Sequence, residues 1–161
     1  MATEQIDTYK KEIYERDTIS GDFNGDGIID YAYLTVYIYS KSEYDYYVNS
    51  HITFSDATIS PIEAEECLFT NLINEGDLNN DGADEIGFVK GSMISNFGVY
   101  NVYSFRKNQW HKLISVDYHD SFDDNLVKIH PTKQGYLLAK TIEWDKETEW
   151  FKQVERSIKI K

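Results

Sequence analysis

The sequence predicts an all-β protein, and three observations support this prediction. Runs of β-branched and aromatic residues with the length of a strand recur along the chain, as at Tyr31–Tyr39. Aromatic residues make up 15% of the 161 residues, and 13 residues are tyrosines, a bias typical of β-rich proteins. Short polar segments separate the runs at intervals that fit a sandwich, a barrel or a propeller.

The first half of the chain contains the clearest predicted hairpin. Tyr31–Ser40 and Tyr46–Phe54 both have the residue types of a strand, and the polar segment 41–43 begins the turn between them. Before this hairpin, Thr8–Arg16 can form an opening strand or a helical turn. After it, Pro61–Thr70 fits a short helix or a further strand, and both remain open.

The second half of the chain predicts two further groups of strands. Short polar segments at 107–109, 133–135 and 145–147 mark the turns within these groups. The predicted strands are Glu85–Lys90, Gly98–Arg106 and Trp110–Tyr118, followed by Val127–His130, Tyr136–Trp144 and Glu149–Ile160.

Two ten-residue loops, loop 1 (21–30) and loop 2 (76–85), share one pattern of polar residues. Counted from the Asp after the first Gly, oxygen-bearing side chains stand at positions 1, 3, 5 and 9, and Gly stands at position 6. Calcium takes about 6–8 oxygen ligands at roughly 2.3–2.6 Å, and alternate residues of a tightly turning loop can supply them. The predicted ligands are Asp22, Asn24, Asp26, the Ile28 carbonyl and Asp30 in loop 1, and Asp77, Asn79, Asp81, the Ala83 carbonyl and Glu85 in loop 2.

A simple turn explains one such loop better than it explains two. Asn, Asp and Gly are common turn residues, so a single copy is compatible with a hairpin turn. Two copies, 55 residues apart (77 minus 22) and with every ligand position filled, favour metal binding. An EF-hand needs a bidentate Glu at position 12 and flanking helices. This chain instead has Tyr33 and Phe88 there, within strand-like runs, so the sequence predicts two calcium sites of another kind.

The segment Gly-Asp-Phe-Asn-Gly-Asp-Gly-x-x-Asp, followed by an apolar strand, resembles the calcium loop of FG-GAP/VCBS-type repeats. These repeats build integrin-α-like β-propellers, and the resemblance implies that each ion ties its loop to the neighbouring strands. Loop 1 matches the family pattern fully. Loop 2 departs at position 9, where Glu85 stands in place of Asp with Asp84 beside it. Which of these two acids binds the ion is left open.

The chain is expected to form a single β domain over residues 1–161. It divides into a leading segment (1–20), a first calcium repeat (21–75), a second calcium repeat (76–125) and C-terminal hairpins without a metal loop (126–161). A third loop would start near Thr132, but 131–135 carries no series of ligands. Propellers close with about 4–8 blades. The expected fold is therefore a compact propeller-like or sandwich-like arrangement of about three antiparallel blade-like units, too short for a full propeller.

Charge and hydropathy limit the partners and the location. The net charge of −12 disfavours nucleic acid, whose phosphates are bound mainly by Lys and Arg. No apolar run approaches the roughly 20 residues of a membrane span. The N-terminal residues 1–5 lack the basic and apolar regions of a signal peptide. Because calcium is abundant outside the cytosol, an extracytoplasmic location is nevertheless expected.

The sequence offers little catalytic chemistry. The single cysteine, Cys67, has apolar neighbours that favour a structural thiol over a nucleophile. The acidic stretch 117–124 is more typical of a solvated turn than of a third cation site or a binding loop. Trp110, Trp144 and Trp150 can form a recognition surface or pack in the core. The first hypothesis is a calcium-stabilised binding or scaffold module with an unknown protein or glycan partner. The alternatives are a polysaccharide-active enzyme or its carbohydrate-binding accessory domain, and an inhibitor or immunity-type protein.

Overall fold

The computed structural model describes residues 8–122 and 125–160, and every regular element within those ranges is a β-strand. The all-β prediction is therefore confirmed. The strands are β1 (Lys10–Gly21), β2 (Asp30–Ser40), β3 (Tyr46–Phe54), β4 (Ile62–Ala64), β5 (Leu68–Gly76), β6 (Glu85–Ser92), β7 (Ser95–Arg106), β8 (Gln109–His119), β9 (Val127–Ile129), β10 (Tyr136–Asp145) and β11 (Trp150–Lys159).

These strands form three antiparallel sheets that follow one another along the chain. The first sheet has the order β1-β2-β3-β4, the second β5-β6-β7-β8 and the third β11-β10-β9. Each strand pairs with its neighbour in sequence, so short connections suffice within every sheet. The first and second sheets thus have the same four-stranded plan.

Tertiary pairing resolves the two segments whose structure the sequence left open. Residues 10–21 form the edge strand β1, because they pair along the whole of β2. Within Pro61–Thr70, Ile62 pairs with Ile52 of β3, and Leu68 begins β5. Both segments are therefore strands, and the helical alternatives are wrong.

The second sheet lies between the other two and is covered on both faces. One core joins it to the first sheet through buried side chains such as Leu34, Ile52 and Phe88. A separate core joins its other face to the third sheet through residues such as Val102 and Leu137. Because a sheet covers each face of β6, its residues are buried without alternation from Glu85 to Val89.

The three sheets therefore stack face to face in chain order, as a compact sandwich-like arrangement. This confirms the expected architecture of three antiparallel units. Among the residues described, no helix is long and apolar enough to cross a membrane.

The two sequence loops occupy the same connection in their respective sheets. Loop 1 joins β1 to β2, and its ends are held by pairing of Gly21 with Asp30. Loop 2 joins β5 to β6, and its ends are held by pairing of Gly76 with Glu85. Sheet pairing thus brings position 9 of each loop back to the glycine where the loop begins.

Candidate metal centre

The first Asp of each loop shapes the loop backbone. Asp22 accepts hydrogen bonds from the amides of Gly25, Asp26 and Gly27 at 2.9, 3.1 and 2.9 Å. Asp77 likewise accepts from Asp81 and Gly82 at 3.0 and 2.9 Å. These bonds curl the chain around one carboxylate, so the following side chains converge on it.

Glycine at position 6 is required by the backbone conformation of both loops. Gly27 has φ 83° and Gly82 has φ 92°. A side chain rarely adopts this left-handed region, because its Cβ would crowd the backbone. The glycine at position 6 of each loop therefore has a direct structural basis.

Positions 3 and 5 have the same hydrogen bonds in both loops. Asn24 Oδ1 accepts from the Asp26 amide at 3.1 Å, and Asn79 Oδ1 accepts from the Asp81 amide at 2.9 Å. Asp26 and Asp81 each accept in turn from the amide at position 7, at 2.8 and 3.1 Å. The two loops thus have matching conformations. The residues at position 7 differ in environment, since Ile28 is exposed and Ala83 is buried, and their carbonyls remain predicted ligands.

Loop 2 brings three carboxylates together. One oxygen from each of Asp77, Asp81 and Glu85 lies within 4.8 Å of the others, the one such group of three acids within the described parts of the chain. Ligands on opposite sides of a calcium ion stand roughly 5 Å apart, twice the usual Ca–O distance. The spacing of the triad therefore fits a cation of this kind.

Of the two adjacent acids at the end of loop 2, Glu85 belongs to the triad, whereas Asp84 is directed toward loop 1. The buried Glu85 carboxylate accepts from the Leu78 amide at 2.6 Å and from Asn79 Nδ2 at 2.9 Å. Asp84 Oδ2 instead accepts from the Asp22 amide and from Asn74 Nδ2, both at 3.0 Å. The side chains of successive residues in a strand point to opposite faces. Only one of the two acids can therefore be directed toward Asp77 and Asp81.

The two loops are in direct contact. Besides the bond to Asp84 Oδ2, Asp22 accepts at its carbonyl from the Asp84 amide at 2.8 Å. A Cβ added to Gly25 would lie 3.3 Å from both Ala83 Cβ and the Gly82 carbonyl oxygen. The candidate sites are therefore neighbours at one end of the first two sheets.

Loop 1 contains an acid with an unsatisfied buried oxygen. Asp30 is 3% exposed, and its Oδ2 is buried without a hydrogen-bond partner. Burial raises the pKa of this carboxyl, and the charges of Asp56, Asp26 and Asp22 raise it further. An unpaired buried carboxylate oxygen is costly, and a bound cation would remove that cost. Within the part of the chain described, no three acids of loop 1 bring their oxygens within the 4.8 Å that joins the triad of loop 2.

Asp56 is a site residue that the loop pattern did not reveal. It lies 26 residues after Asp30 (56 minus 30), in the connection between β3 and β4. Its Oδ2 accepts from Asn24 Nδ2 at 3.0 Å. The predicted hairpin contained a signal, because extending its pairing past the strand ends places Asp56 opposite Asp30.

The metal-free protein is expected to lose stability as the pH rises from about 5 to about 8. Burial raises the pKa of Glu85 from 4.5 to about 7, although the Leu78 amide opposes the increase. The folded chain therefore keeps a proton that the unfolded chain releases above pH 4.5. Between these two pH values the free energy of unfolding falls by up to about 3 kcal/mol. The loss is complete once the pH is above the pKa of Glu85 in the folded chain.

Urea unfolding in excess chelator at several pH values measures this effect. Glu85→Gln, which has no titrating carboxyl, should show a smaller decrease than the parent protein between the two ends of the window. Equal pH profiles for the two proteins would contradict the assignment of the buried proton to Glu85.

The other residues considered from sequence, where the structure describes them, form no further cluster of three metal-binding side chains. Cys67 is half-buried, and burial raises the pKa of its thiol, which favours a structural role. Trp110 packs on Phe54 and donates to the Ser60 carbonyl at 2.8 Å, whereas Trp144 and Trp150 are about half exposed. Of the acidic stretch 117–124, Asp120 is exposed. Asp123 and Asp124 lie outside the described residues.

No family model matches the chain, and comparisons with curated proteins and with solved structures also gave no match. The resemblance of the two loops to FG-GAP/VCBS-type repeats therefore remains a prediction from the loop residues.

Proposed function

We propose that this protein is a calcium-binding β-module with two ion sites, in which the ions hold the loops and strands of the first two sheets together. The observation that carries this proposal is the convergence of Asp77, Asp81 and Glu85 within 4.8 Å. Loop 1 has the same sequence pattern, and it shares with loop 2 the four hydrogen bonds in which side chains at positions 1, 3 and 5 accept from amides at positions 5, 6 and 7. Its unsatisfied Asp30 oxygen supports a second ion there.

The chemistry of the ligand atoms favours calcium over softer metals. Both loops offer carboxylate, amide and carbonyl oxygens, and neither contains His or Cys. Zinc and copper sites normally use those nitrogen and sulfur ligands. Magnesium demands near-ideal octahedral geometry and keeps several waters, whereas calcium accepts many protein oxygens in flexible geometry.

The charge of the sites bears on affinity and location. Each loop supplies three carboxylates, which fits an affinity in the micromolar to millimolar range. Two bound ions would change the net charge from −12 to −8 (−12 plus 4). Such affinities suit an extracytoplasmic compartment, where calcium is abundant.

Calcium titration by calorimetry tests the proposal. The parent protein should bind two ions, and Asp26→Ala and Asp81→Ala should each weaken one site by roughly 30-fold or more. Removing a charged partner typically costs at least about 2 kcal/mol. Asp17→Ala is a matched control, because Asp17 is an exposed acid on β1 that accepts only from the adjacent Thr18 amide in the described contacts.

The absence of calcium-dependent heat in the parent protein would overturn the proposal, provided that dialysis against chelator had first removed any bound ion. Equally tight magnesium binding would overturn the identification of the ion as calcium.

The proposed partner is a glycan or a protein, because the net charge of −12 disfavours nucleic acid. The exposed Trp144 and Trp150 both contact Phe151, and exposed aromatic rings can stack on sugar rings or pack in a protein interface. A glycan screen with a hydrolysis readout separates the alternatives. Binding without release of shorter sugars supports a module, and release supports an enzyme.

A further inference from the structure

We propose that Asp56 is an additional calcium ligand of the loop 1 site (site 1) and makes site 1 bind calcium more tightly than the loop 2 site (site 2). This inference rests on the proposed function, because it assigns unequal roles to the two calcium sites. It concerns a residue outside the repeated loop pattern.

Strand pairing places Asp56 directly beside the end of loop 1. Ala32 of β2 pairs with Phe54 of β3. The pairing continues beyond β3, since the Tyr31 amide donates to Ser55 Oγ and the Ser55 amide donates to the Tyr31 carbonyl, both at 2.9 Å. One residue farther along, Asp56 stands opposite Asp30, the acid at position 9.

The second sheet has a residue in the equivalent place. Ile86 of β6 pairs with Tyr103 of β7, so the next residue, Ser104, stands opposite Glu85. The contacts confirm this equivalence. Asn24 Nδ2 donates to Asp56 Oδ2 at 3.0 Å, and Asn79 Nδ2 donates to Ser104 Oγ at 3.2 Å.

Each site pairs the acid at position 9 with the residue opposite it on the next strand, and a shorter acid faces a larger partner. Loop 1 combines a short acid, Asp30, with a second acid, Asp56. Loop 2 combines the longer Glu85 with the small, neutral Ser104. The additional carboxylate of site 1 therefore stands where site 2 has only a hydroxyl.

Asp56 is held in position before any ion binds. Its Oδ1 accepts from both the amide and the hydroxyl of Thr58 at 2.7 Å. Its other oxygen, Oδ2, is the one directed to Asn24 and loop 1.

An independent observation that favours a cation here is the unsatisfied Asp30 oxygen. Asp30 Oδ2 is buried without a hydrogen-bond partner, and the acids Asp56, Asp26 and Asp22 surround it with charge of the same sign. The Asn24 amide is a neutral donor and cannot balance these four carboxylates. A divalent cation bound among them can.

Site 2 has less negative charge to attract an ion. It has three carboxylates, and Arg106 Nε lies 3.8 Å from Asp81 Oδ2. Because the number of charged ligands tunes calcium affinity, site 1 should fill first as calcium is added.

Calorimetry in the Asp81→Asn background isolates site 1. Adding Asp56→Asn, which removes the charge at nearly constant shape, should weaken calcium binding about tenfold or more. Asp17→Asn in the same background removes an exposed acid of the same sheet and should leave the affinity unchanged. Asp56→Glu, which keeps the charge, should bind more tightly than Asp56→Asn.

The results separate this inference from the proposed function. If the parent protein binds two ions and Asp56→Asn binds them like the parent, the inference is wrong and the function stands. If the parent protein binds no calcium, both are wrong. If Asp56→Asn does not fold, Thr58→Ala replaces it. Loss of the Thr58 hydroxyl should weaken site 1 alone, and unchanged affinity there would overturn the inference.

Discussion

Removal of calcium is expected to lower the melting temperature of the protein by roughly 10–20 °C, measured against a solution with calcium about 100-fold above the dissociation constant of each site. An ion that binds only the folded chain stabilises it by about 2.7 kcal/mol at that concentration. Two ions therefore contribute about 5 kcal/mol, and each kcal/mol shifts the melting temperature of a protein of this size by about 2–4 °C.

Differential scanning fluorimetry in chelator and in calcium makes this measurement. Magnesium at the same concentration controls for ionic strength, which screens the net charge of −12 without specific binding. The double variant Asp26→Ala, Asp81→Ala should lose most of the calcium response. Identical melting curves in chelator and calcium would rule out a structural role of the ions.

The substitution Gly87→Ala is expected to destabilise the protein by about 3 kcal/mol or more, the upper range for overpacked cores. Gly87 lies in β6, the strand covered on both faces. A Cβ there would lie 1.9 Å from the Tyr100 hydroxyl oxygen and 2.6 Å from Tyr100 Cζ. Tyr100 is fully buried, and its hydroxyl donates to Glu75, so the ring cannot move aside without losing packing and a hydrogen bond.

Gly91→Ala is the matched control on the same strand. A Cβ at Gly91 would have its nearest neighbour, the Phe97 carbonyl oxygen, at 3.6 Å, an ordinary contact distance. Urea unfolding should therefore show a small change for Gly91→Ala and a large loss for Gly87→Ala. Equal stabilities of the two variants would mean that Tyr100 does not pack against Gly87 as described.

The local residue pattern predicted most of the strands because strand formation leaves a strong local signal. The predicted hairpin of Tyr31–Ser40 and Tyr46–Phe54 agrees with β2 and β3 to within one residue. Pro61–Thr70 was ambiguous, because its acidic residues are compatible with a helix. Pairing of Ile62 with Ile52 decides for a strand, and that partner lies in another part of the chain.

The order of the stacked sheets did not follow from the pattern. An apolar residue shows that a position is buried without showing what covers it. Ile86 and Val89 are close in sequence, yet the first packs toward the first sheet and the second toward the third. Only the assembled fold assigns each face its neighbour.

Local residue patterns predict the β-class, the two loops and the positions of their oxygen-bearing side chains, because these depend on residues within about ten positions of one another. The fold places Glu85 in the triad and Asp84 against Asp22, because the contact between the two loops holds the Asp84 carboxylate on the side of loop 1. It also placed Asp56 opposite Asp30 and Ser104 opposite Glu85. Those neighbours come from strand pairing between segments far apart in the chain, which a local pattern does not specify.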